Sequence, residues 1–213
     1  MEKFKKEIPF LAIALIPFVY LIYIWNRLPE KVPMHWNGAG EIDRYGDKKE
    51  LLVMLFMLVG ITYFVFLIIP SIDPKQKLQN MGNKLNNLRM ILTLFMSGLA
   101  VFILYSVQQK SSNPGFVFAI IGLLFAFLGN YFKTIKPNYF IGIRTPWTLE
   151  NEEVWKKTHL MGGKLWFVGG LLMALTFVLP NEMQLYTFLG ITAVISIVPI
   201  VYSYLEFKKI KNQ

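Results

Sequence analysis

The sequence contains no cysteine. Disulfides, thiolate metal ligands and a cysteine nucleophile are therefore excluded, while the compartment stays open. Charge is scarce, at 16% of 213 residues, against roughly a quarter in a soluble domain. Histidine occurs only twice, as His35 and His159. Neither has a second imidazole or thiol on its own side of the membrane, so no metal site and no cofactor is expected. The G-x-S-x-G and H-E-x-x-H patterns are missing, which removes the usual signatures of a serine hydrolase or zinc protease. No catalytic residue is assigned. No polar stretch reaches the roughly 50 residues of an independent soluble domain, so residues 1–213 read as a single membrane domain.

Hydrophobic residues make up 54% of the chain, with 18 Phe and a mean hydropathy of +0.45. Six apolar runs are long enough to cross about 30 Å of hydrocarbon at 1.5 Å per residue: residues 8–25, 51–69, 88–107, 116–132, 165–179 and 185–205. The first is too long for the apolar part of a signal peptide and lacks a small-x-small cleavage site. It reads as a retained helix, bent at Pro17. The fold class is all-α: an integral membrane protein, a six-transmembrane-helix bundle in the cytoplasmic membrane. With the N-terminus inside, sixteen Lys and Arg fall in inner segments and six in outer ones, which predicts an N-in/C-in orientation. The net charge of +9 then reflects topology, and no direct nucleic-acid contact is implied. No ionisable side chain lies in the middle of a run and no inverted repeat is visible. Both absences count against an ion-coupled permease.

Two polar segments interrupt the apolar pattern. The outer one, residues 26–50, holds five acids and five bases. Pro29 and Pro33 favour extended backbone, and Asn37, Gly38 and Gly40 signal a turn, which predicts a turn-rich or β-like loop over the helix ends. Trp36 and Tyr45 suit the headgroup level. His35, Asn37, Asp43 and Lys48 form either a polar cluster facing an outer ligand or a loop tied down by its own hydrogen bonds.

The inner segment, residues 130–164, carries two of the five Trp, one His, and Arg144 between Gly142 and Pro146. A guanidinium beside an aromatic face can stack and still offer paired donors to phosphate or carboxylate. A short helix over 149–161 follows, with Thr148 or Asn151 as N-cap, acids in its first turn, and Gly162-Gly163 closing it. Asn151, Val154, Trp155, Thr158, His159 and Met161 share its uncharged half. Glu152–Lys156 and Glu153–Lys157 stand in the favourable i,i+4 order. The row Asn151–Trp155–His159 suits docking against protein polar groups such as Arg144 or Asn130. A structural and a ligand-binding reading stand equally open.

Residues 138–163, Asn-Tyr-Phe-Ile-Gly-Ile-Arg-Thr-Pro-Trp-Thr-Leu-Glu-Asn-Glu-Glu-Val-Trp-Lys-Lys-Thr-His-Leu-Met-Gly-Gly, resemble the signature of the SdpI family of bacterial membrane immunity proteins. Residues 33–48, Pro-Met-His-Trp-Asn-Gly-Ala-Gly-Glu-Ile-Asp-Arg-Tyr-Gly-Asp-Lys, resemble the domain of unknown function that often precedes it. The resemblance implies a six-span inner-membrane protein that protects against a secreted peptide toxin and, with toxin bound, holds a small winged-helix repressor at the membrane. Membrane lipids are the remaining partners it implies. The matching inner positions are Gly142, Arg144, Thr145, Pro146, Trp147, Thr148, Asn151, Trp155, Thr158, His159 and Gly163, beside the candidates Asn130 and Asn138. The outer ones are His35, Asn37, Gly40 and Asp43, beside Trp36 and Lys48.

Three function classes compete. The first is a non-enzymatic immunity or receptor protein. A membrane enzyme would use His159 as base and Arg144 as anion clamp. A small-molecule permease is the third, disfavoured by the charge-free spans.

Overall fold

A computed structural model of the chain describes residues 2–37, 41–73, 77–78, 81–109 and 114–211. The outer turn positions Gly38 and Gly40 lie outside the described residues. The elements are α1 (Glu2–Ile24), strands β1 (Lys31–Trp36) and β2 (Ile42–Asp47), α2 (Glu50–Ile72), α3 (Asn83–Gln109), α4 (Pro114–Phe132), a short α5 (Pro146–Glu150), α6 (Glu152–Ala174) and α7 (Asn181–Lys211). Among the described residues six helices are long and apolar enough to cross a membrane. The only sheet among them is the two-stranded hairpin. Large apolar side chains such as Ile22, Val53, Phe127 and Ile197 stand exposed along these helices, as expected of surfaces whose solvent is lipid.

The chain divides into two units. The first comprises Met1–Ile72 and Asn86–Asn113. Its core repeats at helical spacing: Ala14, Leu21 and Ile24 follow α1, Leu51, Leu55 and Val59 follow α2, and Ala100, Leu104 and Val107 follow α3. Three-, four- and seven-residue steps place each set on one face. Val32 at the foot of the hairpin joins the same core with no exposed surface. The outer segment is thus more regular than a turn-rich loop: an antiparallel ladder pairing Lys31 with Asp47 and Val32 with Gly46, with irregular register around His35. α1 continues through Pro9 and Pro17. Within α2, Phe56–Gly60 forms one wider π-helical turn.

The second unit comprises Asp73–Leu85 and Pro114–Gln213. Its packing depends on small residues. A Cβ added at Gly122 or Gly129 would lie 2.7 Å from the carbonyl oxygen of Gly170 or Gly163, and one at Gly170 would lie 2.6 Å from that of Gly122. Side chains do not fit there, so α4 and α6 touch backbone to backbone, with Ala126 between the two α4 glycines. Such close approach is how apolar helices associate when burial from water supplies no driving force. α7 joins through Ile195 and Pro199. Pro199 has no N–H to donate to the carbonyl four residues back, Ile195. Trp166 Nε1–H fills that vacancy from α6, at 2.9 Å.

Gly162 and Gly163 do not close a separate inner helix. α6 runs unbroken from Glu152 to Ala174, so the expected 149–161 helix and the fifth span are one element. The glycines serve contact instead: Gly163 faces Gly129 and Phe132, and Gly162 faces Ile143 and Pro199. A turn of helix whose backbone bonds are satisfied has no need to end at glycine when a neighbour requires the missing Cβ.

Candidate functional site

In the first unit the hairpin sorts the outer candidates into pairs rather than one cluster. His35 Nδ1 meets Asp43 Oδ1 at 2.6 Å across the strands, both exposed. Asn37 closes the hairpin end: its Oδ1 accepts from Glu41 N–H at 2.9 Å and its Nδ2 donates to Glu41 Oε2 at 3.0 Å. Lys48 belongs elsewhere, paired to Glu30 at 2.8 Å and lying over the Trp25 ring at 5.1 Å. Trp36 is half-buried, and its Nε1 has no partner among the described residues, whereas Tyr45 is exposed.

In the second unit the signature residues build a clamp. Asn138, buried, holds the loop after α4: Oδ1 accepts from Phe140 and Ile141 N–H at 2.8 and 2.7 Å, while Nδ2 donates to the carbonyls of Lys136 and Ile141. Gly142 follows at φ +109°, outside the range comfortable for other residues. It lies directly against the imidazole of His159, leaving no room for a Cβ. That contact lets the backbone N–H of Ile143 donate to His159 Nε2 at 3.0 Å. An N–H can only donate, so Nε2 is the acceptor and Nδ1 carries the proton, which goes to the Trp155 carbonyl at 2.9 Å. The imidazole is therefore neutral. It stacks on Trp155 with centroids 4.0 Å apart and meets Phe132 edge-on at 5.8 Å. Trp155 Nε1 donates to the Ile135 carbonyl at 2.9 Å.

Capping completes the arrangement. Thr145 is the N-cap of α5, Pro146 its first residue, and Thr148 returns the capping-box bond. Thr145 Oγ1 lies 3.1 Å from Ser203 Oγ on α7, and Trp147 packs against Tyr204 with centroids 5.0 Å apart. Of the two N-caps considered for the inner helix, Asn151 serves α6, accepting from Glu153 and Val154 N–H. Thr158 is buried, and its Oγ1 has no partner among the described residues.

Of the row Asn151–Trp155–His159, Trp155 and His159 dock against loop backbone rather than Arg144 or Asn130, while Asn151 caps its own helix. Arg144 and Asn130 are both exposed. Arg144 donates to the Tyr139 carbonyl. The geometry does not support His159 as a general base, because Nε2 is occupied. Of the two helical ion pairs expected, Glu153–Lys157 forms at 2.9 Å, and Lys157 also reaches Glu206 on α7 at 3.2 Å. Glu152 and Lys156 are not within ion-pair distance of each other.

Sequence reasoning missed one group. Arg89 on α3 makes two bonds to Glu7 on α1, at 2.8 and 2.5 Å, beneath the Phe10 ring, and Tyr63 on α2 donates to the same carboxylate at 3.3 Å. Each charge stands at the end of an apolar run and reads as a flank in isolation. The arginine-to-carboxylate complementarity across two runs was the available signal.

Two family descriptions match the chain. Residues 12–59 match a domain of unknown function, DUF1648, and residues 134–203 match the SdpI/YfhL protein family. The second match covers the clamp and its supporting helix α7, and the two stand in the expected order. The Immunity protein SdpI of Bacillus subtilis (strain 168) is 25% identical over 208 residues, covering 98% of this chain and 99% of that protein. The chain is thus similar to the SdpI/YfhL family over residues 134–203 and to that immunity protein over nearly its whole length. With six helices long and apolar enough to cross a membrane among the described residues, it is a multi-pass protein of the cell membrane. An uncharacterized protein of Archaeoglobus fulgidus is 43% identical over 44 residues, 21% of this chain and 24% of that one. No solved structure matches the chain.

Proposed function

We propose that this protein is an immunity protein, protecting its own cell against a secreted, membrane-active peptide toxin. The observation that carries the reading is the end-to-end alignment with an immunity protein, spanning both the hairpin and the clamp. Non-enzymatic action fits the clamp chemistry, since its one imidazole is committed to backbone bonds at both nitrogens. The excess of Lys and Arg in alternate segments supports an inner N-terminus, with the hairpin outside and the 133–151 loop inside. On that orientation the exposed His35–Asp43 pair and Tyr45 meet the toxin, and Arg144 with the neighbouring lysines meets a cytoplasmic partner of the small winged-helix repressor class. Signalling of this kind needs two arrangements of the protein whose populations the toxin biases.

The test is survival of a toxin-sensitive host expressing the intact protein, an Arg144→Ala version, or neither. Wild-type protein is expected to rescue growth, and Arg144→Ala to rescue growth while releasing a co-expressed repressor from the membrane fraction. Equal killing with and without wild-type protein, at verified membrane expression, removes the immunity reading.

A further inference from the structure

The second unit contains a concavity that the clamp does not use. A cleft of about 770 Å³ opens between the end of α4, the loop after it and the start of α6. Lys84, Lys133, Lys136 and Lys156 line it, over a floor that includes Trp155 and His159. Two carboxylates share the lining. Glu153 is taken by Lys157 at 2.9 Å, which leaves Glu152 as the single acid without an ion pair. Among the described residues no carboxylate lies within 4 Å of Lys84, Lys133 or Lys156. A general excess of lysine on inner loops accounts for their number, but not for the convergence of four of them on one hollow where Glu152 is the single unpaired acid.

A second hollow, about 330 Å³, adjoins the first and shares Lys133, His159 and Leu160 with it. Its remaining lining is Gly129, Asn130, Gly163, Lys164 and Phe167, small or apolar but for Asn130 and Lys164. Leu160 and Phe167 are exposed along α6, toward the length of helix read as lying in hydrocarbon. Cationic at one end and apolar along the other, the pair of hollows has the polarity of an amphiphile. The small residues that bring α4 and α6 together also leave the shallow groove beside them. Asn130 lies at the junction and offers an amide to a headgroup oxygen.

We propose that these joined hollows are a binding site for an anionic glycerophospholipid, its phosphate held by Lys133 and Lys156 and one acyl chain lying along Leu160 and Phe167. Lysine ammonium groups act here as point charges on phosphate, reinforced at a membrane surface by the local anionic potential. The site is independent of toxin protection and would hold whether or not the immunity reading does.

The experiment uses the intact protein purified in a zwitterionic detergent. Phosphatidylglycerol, phosphatidylcholine or inorganic phosphate is titrated while bound lipid is counted by native mass spectrometry and thermal unfolding is recorded. Phosphatidylglycerol is expected to bind at one saturable site and raise the unfolding temperature, and the other two to do neither. A Lys133→Gln/Lys156→Gln variant should bind phosphatidylglycerol roughly 30-fold more weakly, about fivefold per lysine removed. Both side chains are exposed, so the variant should fold. A Lys208→Gln/Lys211→Gln control, altered in the basic last turn of α7, should bind as wild type. Equal binding of phosphatidylcholine, reproduction of the effect by inorganic phosphate, or equal loss in the control would each overturn the assignment.

Discussion

Replacing His159 with alanine separates a residue that holds the signature together from one that contacts a partner. The substitution leaves the half-buried Ile143 N–H without its acceptor at 3.0 Å. An orphaned buried donor costs about 1–3 kcal/mol. It also removes the ring stacked on Trp155 at 4.0 Å and edge-on to Phe132, and such aromatic pairs contribute about 0.5–1.5 kcal/mol beyond burial. The bond to the Trp155 carbonyl counts for little, since a carbonyl inside a helix keeps its backbone donor. With two such pairs, the total is about 2–6 kcal/mol of destabilisation. Arg144→Ala, by contrast, removes an exposed side chain whose protein bond is to one carbonyl, and should cost no more than about 0.5 kcal/mol. Thermal and denaturant unfolding of the purified proteins, followed by tryptophan fluorescence, reads both. A His159→Ala protein within 1 kcal/mol of wild type would refute the clamp, and its imidazole would then be free for contact or chemistry.

Two further outcomes follow from the packing. Gly170→Leu should force α4 and α6 apart and abolish recovery of monodisperse protein on size exclusion, whereas Gly190→Ala, with open space around the added methyl, should be tolerated. Arg89→Ala should cost about 3–5 kcal/mol by stranding Glu7, and the Arg89→Met/Glu7→Gln double variant should recover much of that; strictly additive losses in a double-mutant cycle would show that the pair is not coupled.

Much of the architecture was legible because the bilayer imposes a length. Each of the six apolar runs is one of the observed long helices, and Pro29 and Pro33 marked the extended segment that became the hairpin. The end of the inner helix was misread at Gly162-Gly163, since a glycine pair signals a C-cap locally and a helix contact only once its neighbour is known. The spacing of Gly122, Ala126 and Gly129 was the clue to that neighbour. For the candidate site, residue types in the signature were informative, but their roles were not. Asn138, Thr145, Thr148, Asn151, Trp155 and His159 all look like contact residues in a list. Most of their polar groups instead bond to the backbone of their own loop, and only three-dimensional proximity reveals that. Arg144 stays exposed, with one bond to the Tyr139 carbonyl. The Glu7–Arg89 bond stayed hidden because its members are 82 positions apart.

The most direct test of the clamp uses the fact that the chain has only two histidines. Nitrogen-15 NMR of the imidazoles in purified protein at neutral pH, assigned with a His35→Gln variant, reports the protonation of each ring nitrogen. The account predicts that His159 is a neutral ring protonated at Nδ1, with an unprotonated Nε2 hydrogen-bonded to Ile143. A His159 that carries its proton on Nε2, or is cationic at that pH, would contradict it.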